Sequence, residues 1–124
     1  MDRETYDKGM AARRSVLGDA YVDNALKNVD ELTQPFQELA TEYCWGAVWA
    51  NDDLPRKTRS LMNIVMLVAL NRTNELEVHM RGARRNGCTL AEIRAALMQT
   101  AIYVGVPAAN DGFKVARKVL AEPI

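Results

Sequence analysis

The sequence is short of the residues that usually announce a chemistry. It holds one histidine and two cysteines in 124 residues, and Cys44 and Cys88 stand too far apart for a CxxC, zinc or haem spacing. Neither a disulfide scaffold nor a metal site of His and Cys ligands is therefore expected. Net charge is missing as well, because 16 Lys and Arg balance 16 Asp and Glu. Such a chain lacks the broad electrostatic footprint that nucleic acid or an anionic membrane would demand, so neither is an expected partner. The longest nearly apolar run, Leu61 to Leu70, is ten residues long and is broken by Asn63. That is about half the length needed to span a bilayer. The opening MDRETYDKGMAARR is charged from its second residue, so no secretory signal is expected and the cytoplasm is the expected setting. Glycine-rich phosphate loops, nucleophile elbows and cofactor motifs are absent too, and no cofactor is expected.

What is present is enough for one ordinary domain over residues 1–124. Apolar residues make up 48% of the chain and charged residues 26%. A chain of this length buries about 65% of the surface that its unfolded form exposes, enough for one core and not for two domains. Its punctuation marks short turns and its periodicity is helical throughout. Asp2 to Leu17 reads as a helix with Tyr6, Met10 and Leu17 on one side, stopped at Gly18. A short helix follows over Ala20 to Lys27. The next starts near Asp30 or Thr33, carries Phe36, Leu39, Ala40, Tyr43 and Ala47 at helical spacing, and ends before Asn51. Asp53 and Pro55 open a helix to about Leu70, apolar enough in its second half to lie centrally or under a partner subunit. Asn74 to Asn86 places Leu76, Met80 and Ala83 on a stripe. Thr89-Leu90-Ala91-Glu92 is a capping box, after which Leu90, Ile93, Leu97, Ala101 and Val104 keep core spacing. Pro107 opens a last helix with Ala109, Phe113, Ala116 and Leu120 inward. Six or seven helices with short loops predict an all-α bundle.

Two constellations stand out. His79 lies in NELEVHMRGARRN, with Glu75 one turn before it and Arg72 seven residues before it. One helix face would then carry a guanidinium, a carboxylate and a titratable ring, suited to proton transfer next to a held anion, although the same spacing also makes surface hydrogen bonds. The second is EYCWGAVW, where Glu42, Trp45 and Trp49 at i, i+3 and i+7 would set a carboxyl beside two indoles. A carboxyl beside apolar rings favours its neutral form and can act as an acid; the alternative is an aromatic stripe with Glu42 capping or ion-pairing. Gly46 would let a helix or a ligand approach the backbone. Cys44 reads as a small buried hydrophobe, its acidic neighbour opposing a thiolate. Among 11 arginines against 5 lysines, Arg59 is the most telling, because it enters the apolar run and a buried guanidinium wants an anion, either Glu42 or a substrate carboxylate.

These residues carry a resemblance that runs over nearly the whole chain. RRSVLGDAYVDNAL, EYCWGAVWANDDLPRKTRSL, ALNRTNELEVHMRGARRNGCTLAEIRAAL and YVGVPAANDGF resemble the carboxymuconolactone decarboxylase family, in particular its single-domain members from the protocatechuate branch of the β-ketoadipate pathway. The resemblance implies a helical fold shared with AhpD-like alkylhydroperoxidases and a homo-oligomer, commonly a hexamer built as a trimer of dimers. It also implies cofactor-independent decarboxylation of 4-carboxymuconolactone, a small dicarboxylate lactone, to 3-oxoadipate enol-lactone and carbon dioxide. The lactone is its own electron sink: electrons from the breaking C–C bond run through the ring double bond to the carbonyl oxygen, giving a dienolate that is protonated on the carbon alpha to the carbonyl. On this basis His79, positioned by Glu75, is the expected general acid, with Glu42 as the competing donor. Arg59 and Arg72 are expected to contact carboxylates or the oxyanion, and Trp45 to wall the site. The AhpD-like relatives carry a CxxC before the motif histidine, where this chain has Arg72 and Glu75. A thiol-dependent peroxidase or reductase would have to use Cys44 and Cys88 instead, and a decarboxylase acting on a different acid is the other alternative.

Overall fold

The computed structural model describes residues 1–123, and among these every regular element is a helix. The elements are α1 (Arg3–Leu17), α2 (Asp19–Lys27), α3 (Gln34–Leu39), a π-helix (Ala40–Trp49) that continues α3, α4 (Arg56–Ala69), α5 (Thr73–Arg85), α6 (Leu90–Tyr103) and α7 (Val106–Leu120). Two compact units divide them at Pro55, with α1, α2, α3 and the π-helix in the first and α4 to α7 in the second. Asn51 to Pro55, which lead from one to the other in sequence, are all exposed.

In the first unit, the Asp2 carboxylate accepts from the Glu4 N–H at 3.1 Å and from the Thr5 hydroxyl at 2.8 Å, capping α1. Gly18 stops α1 as expected, with φ at 89°, where a side chain would be strained. The buried stripe of α1 differs from the expected one. Gly9, Ala12, Val16 and Leu17 face inward, while Tyr6 and Met10 are only half-buried. The reason is Gly9. A Cβ there would lie 2.1 Å from the Thr41 carbonyl oxygen and 2.7 Å from the Gly46 nitrogen, and a Cβ on Gly46 would lie 2.3 Å from the Thr5 oxygen. Backbone therefore meets backbone where α1 crosses the π-helix, which is the close approach expected at Gly46.

Through α3 and the π-helix the inward face differs from the expected one. Phe36 and Leu39 of α3 and Tyr43 of the π-helix are exposed, whereas Gln37 of α3 and Thr41, Trp45 and Trp49 of the π-helix are buried. Bonds from i to i+5, such as Ala50 N–H to Trp45 O at 2.9 Å, widen the turn and move the buried positions to every fourth residue.

The second unit has a cluster of apolar residues as its core. Ile64 and Val68 of α4, Leu76, Met80 and Ala83 of α5, Ile93 and Leu97 of α6, and Val115, Ala116 and Val119 of α7 meet there, with Cys88 beside them. The expected α5 stripe is the observed one. On α6 the capping box forms as read, Thr89 and Glu92 exchanging hydrogen bonds of 2.9 and 3.1 Å. Leu90 of that helix and Val104 just after it are nevertheless exposed, as are Met62 and Met66 of α4 and Leu70 just after it. Arg81 ties α5 to the end of α7 through both Glu122 carboxylate oxygens at 2.8 Å and through Glu77 at 2.6 Å. These carboxylates hold the guanidinium well above its ordinary pKa.

Candidate active site

The second unit brings two polar side chains together across the α4–α5 pair, with a third, Arg59, on the same helix as one of them. Asn63 Nδ2 lies 3.3 Å from His79 Nδ1, joining positions 16 residues apart in the chain. Arg59 is one turn before Asn63 on α4, so their Cβ atoms sit about 5–6 Å apart on one helix face. Glu75 is one turn before His79 on α5. The half-buried imidazole is pushed below its ordinary pKa by burial, and the Glu75 carboxylate partly offsets this as a nearby charge. Glu75 itself is exposed. The ring thus pairs with Asn63, a residue singled out in the sequence only as a break in the apolar run. A lone amide in such a run was the available signal, because a half-buried amide needs a partner.

Arg72 stands apart from this stripe. Its φ of −104° and ψ of 75° place it outside the helical backbone of α5, so counting seven residues back from His79 does not carry it along the same face. It borders a cavity of about 270 Å³ at the starts of α5 and α7, with Leu67, Thr73, Pro107 and Asp111. A larger apolar groove, about 560 Å³, runs between α4 and α6 past Leu61, Met62, Val65, Met66 and Tyr103. Glu92, its one charged lining residue, pairs with Lys57 at 2.9 Å, so this groove presents no cation to a carboxylate.

The other candidates belong to the first unit. Trp45 and Trp49 are both buried and stack with ring centroids 5.0 Å apart and an interplanar angle of 29°. Glu42, three residues before Trp45, accepts the Asp2 backbone N–H at 3.2 Å. In the same unit Arg13 donates from Nη1 to Gln37 Oε1 and to Thr41 Oγ1, the latter at 3.4 Å. Burial lowers the pKa of this guanidinium, with Tyr21 and Tyr6 opposing the shift.

Neither cysteine is poised as a nucleophile. Both are free thiols. Cys44 is exposed and not the buried hydrophobe expected, yet partial desolvation raises its thiol despite the cation of Arg13, and burial followed by the charge of Glu92 pushes Cys88 up. Cys88 Sγ donates to the Lys57 carbonyl at 3.5 Å, a packing role. Among the described residues, no group of three or more His, Cys, Asp or Glu side chains is placed to hold a metal ion, and no helix is long and apolar enough to cross a membrane.

The fold is all-helical among the described residues, and sequence comparison supplies the family. The profile of the carboxymuconolactone decarboxylase family matches residues 34–118, and the chain belongs to that family. It is 40% identical over 124 residues to a nitrosuccinic acid decarboxylase of Metarhizium robertsii, covering 100% of this chain and 87% of that one. It is 36% identical over 121 residues to a 4-carboxymuconolactone decarboxylase of Acinetobacter baylyi, covering 98% and 90%. A 4-carboxymuconolactone decarboxylase of Pseudomonas putida is 42% identical over 45 residues, which is 36% of this chain and 94% of the other. The protein is accordingly a decarboxylase, and the reductase alternative that would rest on Cys44 and Cys88 gains no support.

Proposed function

We propose that the protein decarboxylates 4-carboxymuconolactone to the enol-lactone in protocatechuate catabolism, without a cofactor. The observation that carries this reading is the pairing of Asn63 with His79 in a chain that aligns almost end to end with a decarboxylase of that acid. Decarboxylation requires that a carboxylate be held while its electron pair moves into an acceptor already in the substrate. Arg59 is the proposed carboxylate clamp and Arg72 a second cationic contact. His79, with Glu75 beside it, is the proposed residue for proton transfer or contact with the oxyanion, and Glu42 the competing proton donor. Trp45 is proposed to keep water from the dienolate.

A second reading is favoured by the Metarhizium relative, whose identity to this chain is higher. Nitrosuccinic acid, like the lactone, is a dicarboxylic acid with a built-in electron sink, here a nitro group on the carbon that bears one carboxyl. The two substrates ask the same of the protein. Parallel assays with freshly generated 4-carboxymuconolactone and with nitrosuccinate, following carbon dioxide release, distinguish them. Turnover of the lactone with at least tenfold higher kcat/KM supports the first reading, and the reverse preference replaces it with the second.

Assembly as a homo-oligomer, a hexamer in the proposal, is supported by the exposed apolar side chains of both units. These include Leu32, Phe36, Leu39 and Tyr43 in one, and Met62, Met66, Met98, Ile102, Tyr103 and Val106 in the other.

A further inference from the structure

The neutral total charge hides an uneven distribution. Residues 28–55 hold six acids, Asp30, Glu31, Glu38, Glu42, Asp52 and Asp53, and no lysine or arginine. The partners recorded for Asp30, Glu38 and Glu42 are the Thr33 N–H and hydroxyl, the Gln34 amide and the Asp2 N–H, none of them a cation. The same stretch carries Leu32, Phe36, Leu39 and Tyr43, spaced by three or four residues and each between 60% and 86% exposed. It is an apolar ridge set among carboxylates. The second unit holds the complement. A cavity of about 400 Å³ along α6 and α7 has Ile93, Leu97 and Phe113 in its lining, with Arg94 and Arg117 beside them and no acid among the described lining residues. Both arginines are exposed.

We propose that this groove receives the ridge of Leu32, Phe36, Leu39 and Tyr43 from a second copy of the chain, with Glu31 and Glu38 of that copy meeting Arg94 and Arg117. This rests on the homo-oligomer proposed above and specifies one of its contacts. The apolar side chains supply the drive, and the opposite charges set the register and reject other partners. Charge also selects between grooves. The α4–α6 groove has Glu92 as its charged lining residue, already paired with Lys57, and offers an acidic ridge no cation. Ridge and groove are different surfaces, so each copy gives one and takes one, and the contact closes as a reciprocal pair or as a ring.

Light scattering of the full chain, with charges exchanged across the contact, tests this. Arg94→Glu with Arg117→Glu should reduce the mass of the unaltered protein at least about twofold, and Glu31→Arg with Glu38→Arg should do the same. All four changes in one chain should restore it. Mixing the two double variants should restore it too, because the native ridge of one meets the native groove of the other while the two reversed surfaces pair with each other. A contact made within one chain would not be rescued by mixing. If a reversed variant fails to fold, cross-linking decides alone: in a Cys44→Ser background, differently tagged Leu39→Cys and Leu120→Cys chains, co-expressed, should be joined by a short bismaleimide, and absence of the mixed product overturns the proposal. An oligomer whose mass neither double variant changes also overturns it and leaves the homo-oligomer standing, whereas a single-chain mass for the unaltered protein overturns both. Unchanged mass with loss of bound anilinonaphthalene sulfonate in Arg94→Glu/Arg117→Glu would give the groove to a small apolar anion instead, which likewise overturns the proposal.

Discussion

At the scale of single residues, the site depends on charge held in partly shielded places. Arg59→Met should raise KM or lower kcat at least tenfold, about 1.4 kcal/mol in transition-state terms, and an unchanged kcat/KM would reduce Arg59 to structural pairing. His79→Gln should likewise depress kcat, and wild-type turnover would remove the ring from the chemistry. The pH dependence follows from the shift at His79. Burial holds the ring neutral down to pH values below its ordinary 6.5, with Glu75 pulling the other way and Asn63 adding no charge. If the neutral N–H is the working form, kcat/KM falls as pH drops through the lowered pKa. Glu75→Gln should then move that fall to still lower pH, and a profile that instead loses activity as pH rises through the same region would point to imidazolium. Of this site, Arg59, Glu75 and His79 were legible in the sequence because residue type and i, i+4 spacing along one helix are local facts. Asn63 was not assigned, since its partner lies on another helix and no periodicity reports which faces meet.

At the scale of elements, the boundaries of the α-helices were readable because caps are written in neighbouring residues, as at Thr89 with Glu92 and at Gly18. Thr89→Ala should cost about 1 kcal/mol in denaturant unfolding, the ordinary cost of losing a side-chain N-cap. The inward face of Ala40–Trp49 was readable in part: the aromatic stripe of Trp45 and Trp49 is buried, but a count of 3.6 residues per turn is the wrong ruler for a π-helix and set Tyr43 inside as well. The crossing of α1 over this segment makes a sharper demand. Gly46→Ala would drive a methyl against the Thr5 backbone, which cannot swing aside as a side-chain tip can, and should cost about 1–3 kcal/mol or more. Gly112→Ala is the useful contrast, since the new Cβ would meet only the Leu97 and Val68 side chains, at 2.8 and 3.0 Å. It should be the milder of the two in the same unfolding measurement, and equal losses would mean that the Gly46 crossing is not backbone-limited.

At the scale of the whole molecule, the sequence pointed correctly to an all-helical architecture, while the apolar surplus that it showed in α4 is only partly absorbed by the core of its own unit. Ile64 and Val68 turn inward, and Met62 and Met66 do not. Light scattering should therefore report a mass several times 13.9 kDa, and Ile102→Glu, which adds a charge to a side chain that is 79% exposed in the single chain, should lower it. A mass of one chain for the unaltered protein would remove the oligomer from the proposal. The exposed stretch from Asn51 to Pro55 has a different consequence, one of dissection. To a protease it is a seam, so limited digestion should nick the chain there before it cuts any helix. The two pieces would partition the candidate chemistry cleanly, Glu42 and both indoles going with one, Arg59, Asn63 and His79 with the other. Mixing nicked halves from differently mutated parents would then ask, by complementation, which half owns each step of the reaction.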